Sequence, residues 1–219
     1  IANAARAYLY KMTHAWGDNG ERILPSALFL EFSQTMSQFR TEFEARVSDF
    51  VRQYPTLVQN ARVTLGSLYD PKDYPTNVRS RFSFPPRAIT PIPSAADFRV
   101  NLNEEYVDSI KNEITQRMEE RANDALKQCW ARVRKVVTKI TELADEDTRV
   151  YNSVMTNASE LVAILPALNL TNDPEIEQIA YELKKILVPP DRLRQDKVLK
   201  SSVAAQADAI LARLPWANP

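Results

Sequence analysis

The chain of 219 residues carries 28 basic and 28 acidic side chains, so its net charge is zero and no chain-wide attraction to nucleic acid is expected. Three glycines are few for phosphate-binding loops or many hairpins, which favours long helices. The single cysteine excludes an internal disulfide and fits a reducing compartment, and no apolar run approaches the roughly 20 residues of a membrane-spanning helix.

The first segment, residues 1–25, is predicted to form short strands around a turn. Alternating tyrosines favour a strand over 7–13, although 2–16 fits a short helix equally well. Two glycines around Asp-Asn predict a turn at 17–20, because glycine readily adopts the positive φ that such turns need. A second strand is expected at 22–24.

Two long stretches, 29–68 and 103–145, have apolar side chains at alternating three- and four-residue steps, which is typical of helices that bury one face. The first seam is Phe29, Phe32, Met36, Phe39, Phe43, Val47, Phe50, Tyr54, Leu57, Ala61, Leu65 and Leu68. The second is Tyr106, Ile110, Ile114, Met118, Ala122, Ala125, Cys129, Val133, Val136, Ile140 and Leu143. The pattern predicts a long, coiled-coil-like antiparallel hairpin over 26–145, with a kink or break at Pro55.

The connector between the two seams, 66–102, is predicted to form a small β-structured tip. Gly66 is expected to end the first helix, and a short helical turn fits 76–83. Aromatic residues that alternate with polar ones predict strands over 81–89 and 97–102.

The last part, 146–219, is predicted to form three helices that pack on the base of the hairpin. Their expected bounds are about 147–165, 173–188 and 196–214, since proline-containing turns separate them. The expected fold class is therefore mainly α, with a C-terminal helical bundle.

Residues that carry chemistry are scarce in this chain. The sequence contains no G-x-x-x-x-G-K-[ST], G-x-G-x-x-G or G-x-S-x-G, so the usual phosphate cradle and serine nucleophile are absent. One histidine, His14, and one cysteine, Cys129, are too few for a structural zinc site. Cys129 lies on the second seam and is predicted to be a core residue. We therefore expect no enzymatic activity, cofactor or metal.

The predicted tip combines aromatic and basic residues and is the first candidate binding surface. Such a mixture is typical of proteins that bind single-stranded nucleic acid and of tips that bind other proteins. The residues expected to contact a partner are Tyr69, Lys72, Tyr74, Arg79, Arg81, Phe84 and Arg87.

The second candidate surface is a run of bases without an acid on the second long helix. Its members are Lys127, Arg132, Arg134, Lys135 and Lys139. Acids of the C-terminal helices, such as Glu160, Glu175 and Glu177, are one expected cover for this stretch. The alternative is a surface that binds phosphates or acidic groups.

Five stretches in chain order carry a family resemblance: WGDNG with RILP at 16–25, LGSLY with DYP at 65–75, RFSF at 81–84, PIP with DFRV at 91–100, and LNLTNDP at 168–174. Together they resemble an uncharacterised family of phage and prophage proteins. Members of that family are often encoded beside a MoxR-like AAA+ ATPase and a protein with a von Willebrand factor A domain. The resemblance implies an accessory or adaptor role beside one of these partners in the cytoplasm of an infected bacterium, and it supplies no catalytic residues.

The leading hypothesis is a non-enzymatic adaptor that binds a protein partner through its tip. One alternative is a nucleic-acid-binding protein that uses the basic helix face or the tip. Another is a self-assembling structural component, since the apolar seams of separate copies can pair with each other.

Overall fold

A computed structural model describes residues 1–17, 19–85, 89, 90, 92, 104–145 and 148–215. In these ranges the chain is mainly helical, as predicted, with one small antiparallel sheet. The helices are α1 (Ala2–Met12), α2 (Phe29–Leu65), α3 (Glu104–Thr141), α4 (Asn152–Leu168), α5 (Pro174–Ile186), α6 (Pro190–Gln195) and α7 (Lys197–Leu211). The strands are β1 (His14–Ala15) and β2 (Arg22–Ile23). None of these helices has both the length and the apolar character that a bilayer crossing requires.

The chain divides into two compact units. Unit 1 contains Ile1–Lys11 and Phe29–Ile92, and unit 2 contains Met12–Leu28 and Pro93–Pro219. The two long helices, which were expected to be the arms of one hairpin, belong to different units. The antiparallel hairpin therefore remains a prediction.

The strand expected over 7–13 is misplaced, because residues 7–12 belong to α1 and the short strand before the turn is β1. Ala5, Leu9 and Met12 are buried at helical spacing, and the alanine-rich sequence favours a helix. The expected turn and second strand are confirmed: β2 pairs with β1, and Gly17 and Gly20 adopt φ angles of 86° and 74°.

In unit 1, α1 packs on the first turns of α2. The ring of Tyr8 stacks on that of Phe32, with centroids 6.0 Å apart, and lies 6.1 Å from the ring of Phe39. Helix α2 continues for 37 residues through Pro55, so the break expected at this proline is not seen.

The prediction that the first seam forms a continuous core is wrong. Within α2 only Phe32 and Val47 are buried. Among the other seam residues, Leu57, Leu65 and Leu68 are exposed.

In unit 2, the second half of α3 packs against α4 and α7. Its buried residues are Ala125, Cys129, Trp130, Val133, Val137 and Ile140, and Leu143 is buried in the 3₁₀ turn that follows, Glu142–Ala144. The second seam is thus confirmed as core in this half, except that Val137 replaces the predicted Val136. Burial of each large aliphatic side chain stabilises the folded state by about 1.5–3 kcal/mol.

Helices α4, α5 and α7 correspond to the three helices predicted for this part of the chain, although their boundaries differ from the expected ones. The Asp173 side chain accepts a hydrogen bond from the Glu175 amide at 2.9 Å, which confirms the expected start of α5. Pro166 lies inside α4 rather than ending it. The last predicted helix is preceded by α6, which the sequence interpretation missed, and Asp196 caps α7.

Candidate functional site

The predicted β tip is wrong for the residues that the structure describes there. From 66 to 85 the chain forms three 3₁₀ turns, Gly66–Leu68, Pro71–Asp73 and Val78–Arg81, and no strand. The turn at 78–81 confirms the short helical turn expected in this region. The strand predicted at 97–102 lies outside the described residues, as do residues 86–88 of the strand predicted at 81–89.

Side-chain caps hold the turns in place. The Asp70 carboxylate accepts from the Lys72 amide at 2.9 Å, and the Asn77 side chain accepts from the Ser80 amide at 3.3 Å. Asp and Asn compete with the backbone for local hydrogen bonds, which favours such turns over strands. Gly66 adopts a φ of 52°, which confirms that this glycine ends the long helix.

Beyond the turns, the chain folds back along α2. The ring of Phe82 packs on that of Phe50 with centroids 5.4 Å apart, and the ring of Phe84 lies 5.6 Å from that of Phe43. Phe43 precedes the end of α2 by 22 residues, so the returning segment reaches about 33 Å back along the helix. Phe82 and Phe84 therefore act first as packing residues on one side of α2.

The predicted tip residues divide between packing and exposure. Tyr69 and Tyr74 are half-buried, and their rings stack on each other with centroids 5.0 Å apart. Arg79 forms an ion pair with Glu44 of α2. Lys72 and Arg81 are exposed. Arg87, which completes the predicted set, lies outside the described residues.

A longer region around the tip has no core of its own. We call residues 48–85 the distal region; none of its side chains is buried. Its most exposed large apolar residues are Val63 and Leu68, with exposed fractions of 79% and 81%, and Leu57 and Leu65 are also exposed. The sequence interpretation assigned Leu57, Leu65 and Leu68 to the core and missed Val63, which lies off the seam.

The run of bases on α3 forms an open groove in unit 2 of about 510 Å³. We call it the basic groove. Its lining residues are Lys127, Trp130, Ala131, Arg134, Lys135, Thr138, Lys139, Glu142 and Pro215. Four of the five predicted bases line this groove, beside the carboxylate of Glu142. Their role as a binding surface remains a prediction.

Local acids, rather than acids of the C-terminal helices, pair with two of these bases. The Lys127 ammonium lies 2.9 Å from a carboxylate oxygen of Asp124, and that of Lys139 lies 2.7 Å from one of Glu142. Arg134 donates to the Pro215 carbonyl at 3.1 Å. Glu175 and Glu177, which were expected to cover the stretch, lie exposed at the start of α5.

Arg132, the fifth predicted base, faces away from this groove and enters a part-buried polar cluster. Its guanidinium donates to the Thr13 carbonyl, which also accepts from Arg22 at 3.0 Å. The Arg22 Nε donates to the Thr13 hydroxyl at 2.6 Å. Arg132 therefore bonds within the polar cluster and does not line the groove with the other four bases.

His14 lies in the same part of unit 2 and is fully buried. Its Nε2 donates to the Leu168 carbonyl at 3.0 Å, while no partner for Nδ1 is found among the described residues. Burial, and next the positive charge of Arg132, lower the pKa of His14 to about 4, so the imidazole is neutral at pH 7.

Cys129 is fully buried, which confirms it as a core residue. Burial raises the pKa of its thiol to about 11. A thiol with this pKa is protonated at neutral pH and is a poor nucleophile. In the described ranges, no three His, Cys, Asp or Glu side chains come together as a metal site.

The turn after α3 is closed by a buried lysine. The Lys200 ammonium donates to the carbonyls of Asp145 and Thr148, at 2.9 Å each. The Lys200 ammonium therefore joins α7 to the connection between α3 and α4 through these two carbonyls.

Comparisons with protein-family models, with curated proteins and with solved structures find no match for this chain. The phage-protein resemblance therefore depends on the sequence stretches alone and remains a prediction.

Proposed function

We propose that the protein is a non-enzymatic adaptor that binds a protein partner through the distal region of unit 1. The observation that carries the proposal is the absence of any buried side chain between 48 and 85, together with the exposure of Val63 and Leu68. Large apolar side chains that stay exposed in a region without buried residues are candidates for contact with another molecule.

The energetics favour the same interpretation. Most of the stability of a helix in a protein comes from packing of its apolar face, and the distal half of α2 receives little packing from its own unit. Covering one large aliphatic side chain contributes about 1.5–3 kcal/mol, so two or three such residues can anchor an interface. The exposed bases Lys72 and Arg81 lie in the same region and supply polar contacts at its margin.

The family resemblance supplies the first partners to test. A MoxR-like AAA+ ATPase is our first candidate, and a protein with a von Willebrand factor A domain is the second. Within this proposal the distal region docks on the partner, and no residue of the chain takes part in catalysis.

The test is a pull-down of the purified ATPase by the full chain and by Val63→Asp. The matched control is Val198→Asp on α7, because Val198 is 80% exposed and also lies on a helix. We expect Val63→Asp to abolish capture and Val198→Asp to leave it unchanged. If Val63→Asp does not reduce capture of the ATPase, docking of the ATPase through the distal region is contradicted. The same result with the second candidate would contradict docking of that protein through this region as well.

The exposed apolar residues of α2 also fit the alternative of a self-assembling structural component. This alternative predicts a mass in solution that is a multiple of the 24.9 kDa chain. Val63→Asp should then return the protein to a monomer, with Val198→Asp again as control. A monomeric wild type over the accessible concentration range would exclude self-assembly and leave the adaptor proposal in place.

A further inference from the structure

The basic groove presents its charges along a single face of α3. Positions 127, 131, 134, 135, 138, 139 and 142 recur at three- and four-residue steps, so their side chains line one stripe of the helix. At 1.5 Å per residue the stripe is about 22 Å long. Four cations and one carboxylate line it, and a second carboxylate, that of Asp124, pairs with Lys127 beside it. The stripe therefore keeps an excess of positive charge, which is complementary to an acidic ligand.

The three lysines of the groove remain available to such a ligand. The ion pairs of Lys127 with Asp124 and of Lys139 with Glu142 join side chains that are about half exposed or more. Exposed pairs of this kind add little net stability, so an incoming carboxylate can exchange with them. Lys135 is exposed, and no acid pairs with it in the described part of the chain.

The groove is poorly suited to nucleic acid. Single-stranded binding needs an exposed aromatic face on which bases stack, and Trp130, the aromatic residue that lines the groove, is only 4% exposed. Duplex binding depends on a positive field, whereas this chain has zero net charge and places Glu142 within the groove.

An acidic helix matches the spacing of the cations. On α3, Lys135 and Lys139 are one turn apart, and Lys127 and Lys135 are two turns apart. Two α-helices share the same pitch, so carboxylates one and two turns apart on a ligand helix have the same spacing. Ala131 and Pro215 add apolar surface beside the cations. We propose that the basic groove binds an acidic helical peptide segment of a partner protein, through carboxylates that bridge Lys127, Lys135 and Lys139.

This inference is independent of the distal region, because all residues of the groove belong to unit 2. Val63→Asp should leave peptide binding unchanged. The two proposals can therefore fail separately.

The test uses the full chain and fluorescence anisotropy at low and at physiological salt. The probe is a fluorescein-labelled, alanine-based helical peptide with glutamates one and two turns apart on one face. Its glutamine counterpart and a labelled single-stranded DNA oligonucleotide are measured beside it. The groove variant carries Lys127→Glu and Lys135→Glu, and the control carries Lys184→Glu and Lys185→Glu on α5, which changes the net charge by the same amount.

We expect the groove variant to bind the glutamate peptide at least about tenfold more weakly than wild type, and the control within about twofold. Three results would overturn the proposal. The first is that wild type does not bind the glutamate peptide. The second is that the groove variant and the control lose affinity equally. The third is that wild type binds the oligonucleotide more tightly than the peptide and that the groove variant loses this oligonucleotide binding.

Discussion

The distal part of α2 and the second half of α3 have the same apolar period but different surroundings. Between 48 and 68 no side chain is buried, whereas between 125 and 143 seven are. The difference lies in what covers each helix: α4 and α7 pack on α3, while in unit 1 the folded-back segment contacts one side of α2. An apolar period therefore predicts a face that needs cover, and it does not predict whether the chain itself supplies that cover.

The largest effect that separates the two regions is expected from a pair of matched leucines. Leu143 and Leu68 each lie in the 3₁₀ turn that follows a long helix, with exposed fractions of 1% and 81%. Leu143→Ala should lower the free energy of unfolding by about 2–5 kcal/mol, because it leaves a cavity. Leu68→Ala should change it by less than about 0.5 kcal/mol. Urea denaturation of both variants is the measurement, and equal costs would contradict the comparison.

The second prediction concerns the pH dependence of the packed region. The pKa of His14 is about 4 in the folded state and about 6.5 in an unfolded chain, so the unfolded state binds more protons between these values. Stability should therefore fall as the pH drops from 6.5 to 4, by about 3 kcal/mol in total. The free energy of unfolding of wild type and of His14→Gln, measured across this range, should differ in slope. Parallel curves would show that the imidazole does not titrate in this way.

The third prediction uses two bases of the same helix. Arg132→Ala should lower the free energy of unfolding by about 1–3 kcal/mol, because Arg132 donates to the Thr13 carbonyl in the polar cluster. Lys135→Ala should change it by less than about 0.5 kcal/mol, since Lys135 is exposed in the groove. Thermal or chemical unfolding separates the two. A tolerated Arg132→Ala would return that residue to the candidate surface.

Local signals in the sequence predicted much of the fold. The glycines at 17, 20 and 66 were interpreted correctly because their positive φ angles follow from local chain geometry. The cap at Asp173 was also predicted correctly, because a cap depends on residues that are adjacent in the sequence. The strand expected at 7–13 failed because alternating tyrosines and a helical period coexist there, and burial at helical spacing decided between them.

Predictions that depend on distant partners were less successful. The bases from 127 to 139 were located as a group, yet only the fold shows that Arg132 bonds to Thr13 while its neighbours line the groove. Likewise, Leu57, Leu65 and Leu68 lie on the first apolar seam, yet all three are exposed. In both cases the outcome depends on which residues approach from elsewhere in the chain.

The measurement that tests the central claim most directly is amide hydrogen exchange of the isolated protein at a concentration where it is monomeric. Amides that open locally exchange faster when few buried contacts hold their helix. We predict that amides of 48–65 in α2 exchange much faster than those of 125–141 in α3, and that a bound partner slows the first set. Equal protection of the two stretches in the isolated chain would contradict an uncovered distal region, and with it the proposed interaction surface.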